Sequence, residues 1–209
     1  MKFQIAFDLT DLDKALSIAQ DIEKYVDVLE VGTLLIYKYG ETAIKSFREQ
    51  FPQKTILADA KIVDHSKDAA QIFLTAGADW ITVLAGANKN VIHTASTIAH
   101  ELGKKVMLDL VDSISIGQSA LEAKSLGVDA LLYHKPITED SQLIFSERWE
   151  MVRGNTQLPI YITANISREN IVDILSIGAY GAVISKAIVN SQNPVEEAIY
   201  FSGILSNTD

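Results

Sequence analysis

The run Asp59-Ala60-Lys61-Ile62-Val63-Asp64 carries the strongest chemical signal in the chain. Side chains of an extended strand alternate with a period of two, so Asp59 and Lys61 are expected on one face. Asp64 is expected just past that strand, at its rim. A lysine flanked by carboxylates stays protonated, because each negative neighbour favours the ammonium form. Such a lysine is a poor Schiff-base amine but a good fixed cation for negative charge developing on an enolate oxygen. Glu30, in VDVLEVGT, falls on the preceding strand. Together Glu30 and Asp59 make a pair of hard oxygen donors with no thiolate, a set suited to Mg²⁺.

Other polar residues interrupt apolar runs in the same way. Asp8 closes FQIAFDL, Asp109 sits in VMLDLV, and His134 ends ALLYH. Thr163 and Asn165 end PIYITAN, and Ser185 and Lys186 follow GAVI. A charge within an apolar strand is costly unless it is paired or bound to a metal. Each residue alone has a structural explanation: Asp8 a helix cap, Glu30 a single buried ion pair, His134 a satisfied core histidine. Glu30, Asp59 and Lys61 could also form a purely structural ion-pair network. The joint pattern, always toward the same strand end, points to a site.

The elements that must hold these residues alternate along the chain. Strands are predicted at Phe3 to Leu9, Val26 to Val31, Thr55 to Ile62, Trp80 to Ala85, Lys105 to Val111, Ala130 to Lys135, Pro159 to Asn165 and Gly181 to Ile188. Amphipathic helices lie between them. In DLDKALSIAQDIEKY, Leu12, Leu16, Ala19 and Ile22 share a face; NIVDILSIGA follows Ser167, which is placed to cap it, with Glu169 early in the helix. The polar stretch Thr138 to Gly154 reads as a loop followed by a helix. GADWITV, GVDALLY and GAYGAVI each read as a helix-ending glycine feeding a strand. Eight such units in 209 residues predict a single-domain α/β protein, a compact (β/α)8 TIM barrel whose site lies at the C-terminal strand ends.

Composition narrows the classes. The chain has 27 acidic and 18 basic side chains, a net charge of -9 and no cysteine. No disulfide framework, thiolate metal site or cysteine nucleophile is available. The acidic balance argues against nucleic acid, whose binders show a basic face. No apolar run approaches the ~18 residues of a membrane span. The opening MKFQIAFDLTDLDKA does not read as a signal peptide, so a cytoplasmic protein is expected.

With these residues in place, the chain resembles the orotidine 5'-monophosphate decarboxylase superfamily. The D-x-K-x-x-D run (Asp59, Lys61, Asp64) is similar to its signature. LEVGT (Leu29 to Thr33) and LADAKIVD (Leu57 to Asp64) resemble the branch of 3-hexulose-6-phosphate synthases and 3-keto-L-gulonate-6-phosphate decarboxylases. GADWITVLAGA, VMLDLV and Tyr133-His134 follow in matching order. The resemblance implies a homodimeric (β/α)8 barrel acting on a sugar phosphate through a 1,2-enediolate. It further implies that Glu30 and Asp59 position Mg²⁺, that Lys61 neutralises the intermediate, and that Asp8 binds substrate hydroxyls. His134 and Asp109 would serve proton transfer or positioning, and Asp64 would reach the partner subunit's site.

The chain departs from that pattern in its last third. Glycine-rich phosphate loops after strands seven and eight are replaced by Thr163-Ala164-Asn165-Ile166 and Ile184-Ser185-Lys186-Ala187. Side chains there narrow the approach of phosphate to backbone N–H groups, and Lys186 stands in for an arginine. The loop HKPITEDSQ (His134 to Gln142) matches neither branch. The leading expectation is the synthase reaction, addition of formaldehyde to ribulose 5-phosphate, favoured by the KYG segment (Lys38 to Gly40). Decarboxylation of 3-keto-gulonate 6-phosphate is second, and a non-catalytic sugar-phosphate sensor third. An acidic mouth that takes an anionic substrate also needs cations, and Mg²⁺, Lys61 and Lys186 are the ones at hand.

Overall fold

The computed structural model describes residues 1–134 and 142–206. Eight parallel strands close a barrel in chain order, β8 pairing back to β1. They are β1 (Lys2–Phe7), β2 (Val28–Val31), β3 (Thr55–Ile62), β4 (Trp80–Leu84), β5 (Lys105–Asp109), β6 (Ala130–His134), β7 (Ile160–Thr163) and β8 (Gly181–Ile184). Around them run α1 (Leu12–Ile22), α2 (Thr33–Tyr39), α3 (Glu41–Gln50), α4 (Ser66–Thr75), α5 (Lys89–Glu101), α6 (Ile116–Ala123), α7 (Gln142–Arg153), α8 (Ile171–Ser176), α9 (Lys186–Val189) and α10 (Pro194–Ser206). The predicted barrel is therefore the observed one.

Strands buried on both faces need apolar residues on both. Ala6, Val28, Leu57, Met107, Ala130, Leu132, Tyr161 and Val183 fill the barrel interior. Alternate residues such as Ile5, Phe7, Leu29, Ile56 and Ile81 pack outward under the helices. Gln4, Glu30, Asp59, Thr82 and Asp109 are buried polar exceptions on the strands, and all five belong to the site network described below.

Several strands are shorter than predicted. β1 stops at Phe7, β5 at Asp109 and β7 at Thr163, which frees Asp8 and Asn165 from the sheet. β8 ends at Ile184, and Lys186–Val189 is helical, not extended. Ile188 and Val189 of this short helix are buried, and their β-branched side chains disguise it as strand. Ser167 does not cap α8 directly. Asn170 occupies the cap position without a side-chain cap bond, and residues 167–170 form a preceding turn in which Asn170 Oδ1 accepts from the Ser167 N–H at 2.8 Å. In α1 the buried face is Ala15, Ile18, Ala19 and Ile22, with Leu12 and Leu16 at its edge. Small Ala15 and Ala19 let the helix sit close to the sheet. The helix expected within Thr138 to Gly154 is α7; residues 135–141, with most of the strand-six loop, lie outside the described residues.

The three predicted glycine junctions hold: Gly77, Gly127 and Gly178 have φ of +117°, +85° and +72°. Two residues after them stand Asp79, Asp129 and Tyr180, which with Asp27 form joints at the barrel's N-terminal end. Asp27 accepts from the Phe3 N–H at 2.8 Å, Asp79 from Ile56 at 2.9 Å and Asp129 from Val106 at 2.8 Å. Thus an aspartate entering each of β2, β4 and β6 grips the start of the strand before it. Each also meets a basic side chain: Lys2 at 2.7 Å, Arg48 and Lys104, and His100 at 3.0 Å. At the fourth joint stands Tyr180, and there the bonds are main-chain: Tyr180 N–H to Ile160 O and Lys2 N–H to Tyr180 O, both 2.9 Å.

Candidate active site

The C-terminal mouth gathers the predicted residues. Asp59 and Lys61 meet, with Nζ 3.1 Å from Asp59 Oδ1, but regular alternation is not the cause. Ala58 pairs with Ile81 of β4, and the next pairing joins Ile62 to Val83. Asp59, Ala60 and Lys61 therefore all face Thr82 alone. This bulge places Lys61 in the left-handed region, at φ +45°. Two more non-glycine residues with positive φ, His65 (+47°) and Asn165 (+48°), also follow strands at this mouth. Backbone strain of this kind persists where surrounding structure enforces it, and it concentrates at functional sites.

Lys61 Nζ also donates to Asp109 Oδ2 at 2.6 Å, spanning from β3 to β5. Burial disfavours the ammonium, but Asp59 and Asp109 outweigh it and hold Lys61 protonated well above the ordinary lysine range. Asp109 has no exposed surface. Its Oδ1 accepts from the Val111 N–H at 2.9 Å and stands 2.8 Å from His134 Nε2. Burial alone would raise its pKa; the His134 contact and Lys61 prevail and lower it.

Glu30 accepts from Gln4 Nε2 at 2.5 Å and is 4% exposed. Burial, then the charges of Asp59 and Asp8, push its pKa well above the usual carboxylate range. Enclosure and Asp59 raise Asp8 as well, against the pull of the Ser185 hydroxyl, Lys61 and Lys186. Asp8 crosses close to the β2–α2 turn. A Cβ at Gly32 would lie 2.5 Å from Phe7 O and 2.6 Å from Asp8 Oδ1, which explains the glycine in LEVGT.

Beside this network lies a pocket lined by Asp8, His134, Thr163, Ala164, Asn165, Ile166, Val183, Ser185 and Lys186. It brings together every residue predicted from the strand-seven and strand-eight ends. Asp64 stays apart. Its side chain is 78% exposed, and its carboxylate bonds the His65 N–H at 2.7 Å.

The donor set fits a divalent cation of the hard type. Among the described residues no three His, Cys, Asp or Glu stand close enough to form a metal cage. Mg²⁺, however, normally takes one or two carboxylates and completes its shell with water and substrate oxygens. Glu30 and Asp59 supply that number, and the repulsion of buried Glu30 by Asp59 is one that a cation would offset.

Sequence reasoning missed three contributors. Thr33 Oγ1 donates to Asp59 Oδ2 at 2.5 Å, Thr82 Oγ1 donates to Asp59 Oδ1 at 2.9 Å, and Gln4 holds Glu30. Gln4 left a signal, a lone amide within the apolar FQIAF; the two threonines, an ordinary strand residue and the first residue of α2, left none.

Comparison with known proteins agrees with this geometry. The profile of the Orotidine 5'-phosphate decarboxylase / HUMPS family matches residues 1–200. A 3-hexulose-6-phosphate synthase of Mycobacterium gastri is 30% identical over 199 residues, 95% of this chain and 96% of that protein. Another, from Bacillus subtilis, is 36% identical over 134 residues, and this match spans 64% of each chain. The crystal structure of 3-hexulose-6-phosphate synthase from Salmonella typhimurium superposes with a TM-score of 0.91 at 29% identity, covering 100% of both chains.

Proposed function

The chain belongs to the orotidine 5'-phosphate decarboxylase / HUMPS family, and from that membership we propose that it is a carbon–carbon lyase joining formaldehyde to ribulose 5-phosphate. The observation that carries this reading is Lys61, a buried ammonium fixed between Asp59 and Asp109 at 3.1 and 2.6 Å. A preorganised cation stabilises charge that develops during reaction without reorganising at that moment. The charge here is that of a 1,2-enediolate formed when C1 of the sugar loses a proton.

The rest of the mouth has work consistent with that step. His134 Nε2 stands 2.8 Å from Asp109 Oδ1, and in this reading Nδ1 is the nitrogen that faces the substrate proton. The imidazole takes the C1 proton; C1 then bonds to the formaldehyde carbon, and the formaldehyde oxygen receives a proton. The sum is one molecule of hexulose phosphate with its ketone at C3. Asp8 binds sugar hydroxyls, and Lys186, with the Thr163–Asn165 and Ser185 backbone, faces the phosphate. Glu30 and Asp59 are the residues that would hold Mg²⁺, and a bound ion would supply Lewis-acid stabilisation to the substrate oxygens. The assembly we propose is a cytoplasmic homodimer in which Asp64, exposed and outside its own site, completes the partner's.

The test is direct. Purified protein with Mg²⁺ is given ribulose 5-phosphate and formaldehyde, with and without a chelator, and formaldehyde loss is followed. Turnover that the chelator abolishes supports both the reaction and the metal. Turnover of 3-keto-gulonate 6-phosphate instead, with CO2 release, would move the assignment to the decarboxylases; turnover of neither would leave a binding protein.

A further inference from the structure

We propose that Thr82 is a positioning residue, whose single hydroxyl sets the reactive geometry of both Asp59 and Lys61. The inference rests on the lyase reading above for its kinetic part but not for its structural part.

Thr82 has no exposed surface and lies on β4, one strand away from the residues it serves. Its Oγ1 accepts the Lys61 backbone N–H at 2.8 Å and donates to Asp59 Oδ1 at 2.9 Å. A hydroxyl has one proton to give, so this arrangement is directional. The proton goes to the carboxylate, and a lone pair takes the amide. At the bulge, the ladder between Ala58/Ile81 and Ile62/Val83 skips three residues of β3. Thr82 supplies by side chain the acceptor that Lys61 N–H meets in place of a ladder carbonyl. An unmet buried N–H is expensive, and a left-handed lysine is strained. The hydroxyl therefore helps to hold open the conformation that brings Nζ over Asp59 and Asp109. Threonine suits the place because its branched Cβ restricts χ1 and keeps Oγ1 aimed at the bulge.

Three variants separate the hydroxyl from the volume. Thr82→Val keeps the shape and removes the oxygen, Thr82→Ser keeps the oxygen, and Thr82→Ala removes both oxygen and methyl. With ribulose 5-phosphate and formaldehyde, Thr82→Val is expected to lose kcat by roughly 10–100-fold, the scale of an ångström-level misplacement, with KM within about threefold. Thr82→Ser is expected to retain most of kcat. Equal loss in Ser and Val, or no loss in Val, overturns the proposal. If Thr82→Val does not fold, the Ser-to-Ala comparison is read the same way. A second readout needs no substrate: hydrogen exchange at the Lys61 amide. Protection is expected to fall at least tenfold in Thr82→Val and to persist in Thr82→Ser; unchanged protection in Thr82→Val overturns the bridge. A wild-type enzyme inactive on these substrates, with the exchange pattern as expected, would sink the lyase assignment and leave the bridge standing.

Discussion

Lys61 Nζ lies 2.6 Å from Asp109 Oδ2, a link from β3 to β5 that passes above β4. Asp109 is fully buried and presents its other oxygen to His134. One carboxylate thus holds the cation and lies beside the proposed base. Lys61→Ala is expected to reduce kcat/KM by at least ~10²-fold, the loss seen on removing one preorganised charge stabiliser. It is also expected to lower Tm, because Asp109 and Asp59 would remain buried without their cation. Steady-state kinetics and a thermal melt check both; retained activity would remove Lys61 from the mechanism.

Glu30 illustrates a cost of function. Its folded pKa is raised, by burial first and by Asp59 and Asp8 next. The unfolded chain therefore ionises at a lower pH than the folded one. Stability is lost as pH rises from the ordinary value of 4.5 toward the raised one, and at neutral pH the penalty stands. Glu30→Gln is expected to raise the Tm of metal-free protein at pH 7, by roughly 2–4 °C per kcal/mol relieved, while abolishing turnover. No gain in Tm, or a gain that persists at pH 4, would contradict the assignment.

The N-terminal joint at Asp79 behaves in the opposite sense. Burial opposes ionisation of Asp79, but Lys104, the Ile56 N–H and Arg48 lower its pKa below 3.8. Its contribution is present in full above the unfolded value and disappears as pH falls through the folded one. Asp79→Asn is expected to lower the urea midpoint at pH 7, and the deficit is expected to shrink as pH falls below the ordinary value of 3.8. A deficit independent of pH would point to packing instead of charge.

Asp64 tests the shared site. Neither Lys61→Ala nor Asp64→Ala alone should turn over substrate well. If Asp64 serves the partner, mixed dimers pair one doubly defective site with one intact site. Mixing equal amounts is expected to restore about a quarter of wild-type activity, the share set by random exchange in a two-fold dimer. No recovery in a mixture shown by light scattering to contain dimers would confine Asp64 to its own subunit.

Much of this was legible in the residues themselves. Alternating apolar runs specified the barrel, because strands covered on both faces must be apolar throughout. Asp59, Lys61, Asp109 and His134 each had a structural explanation alone, and stood out together as polar groups at the same end of apolar strands. What stayed hidden follows from how the site is built. The juxtaposition of Asp59 and Lys61 depends on a bulge, and a bulge is a relation between two strands, invisible in either one. Thr82 and Thr33 act through hydroxyls, which strands and helix starts carry routinely without function. The helical Lys186–Val189 was masked by Ile188 and Val189, β-branched types that strands favour.

The four joints at the barrel's other end are not equivalent, and the difference gives the closed sheet a seam. Three are gripped by an aspartate with a basic partner; the fourth, at Tyr180, relies on main-chain bonds. Between β7 and β8 only two residue pairs are in register, Tyr161 with Gly181 and Ile162 with Ala182. The Thr163–Asn165 and Ser185–Lys186 ends of these same strands line the pocket assigned to phosphate. The strands with the fewest paired residues are thus the two that a bound phosphate would clasp together.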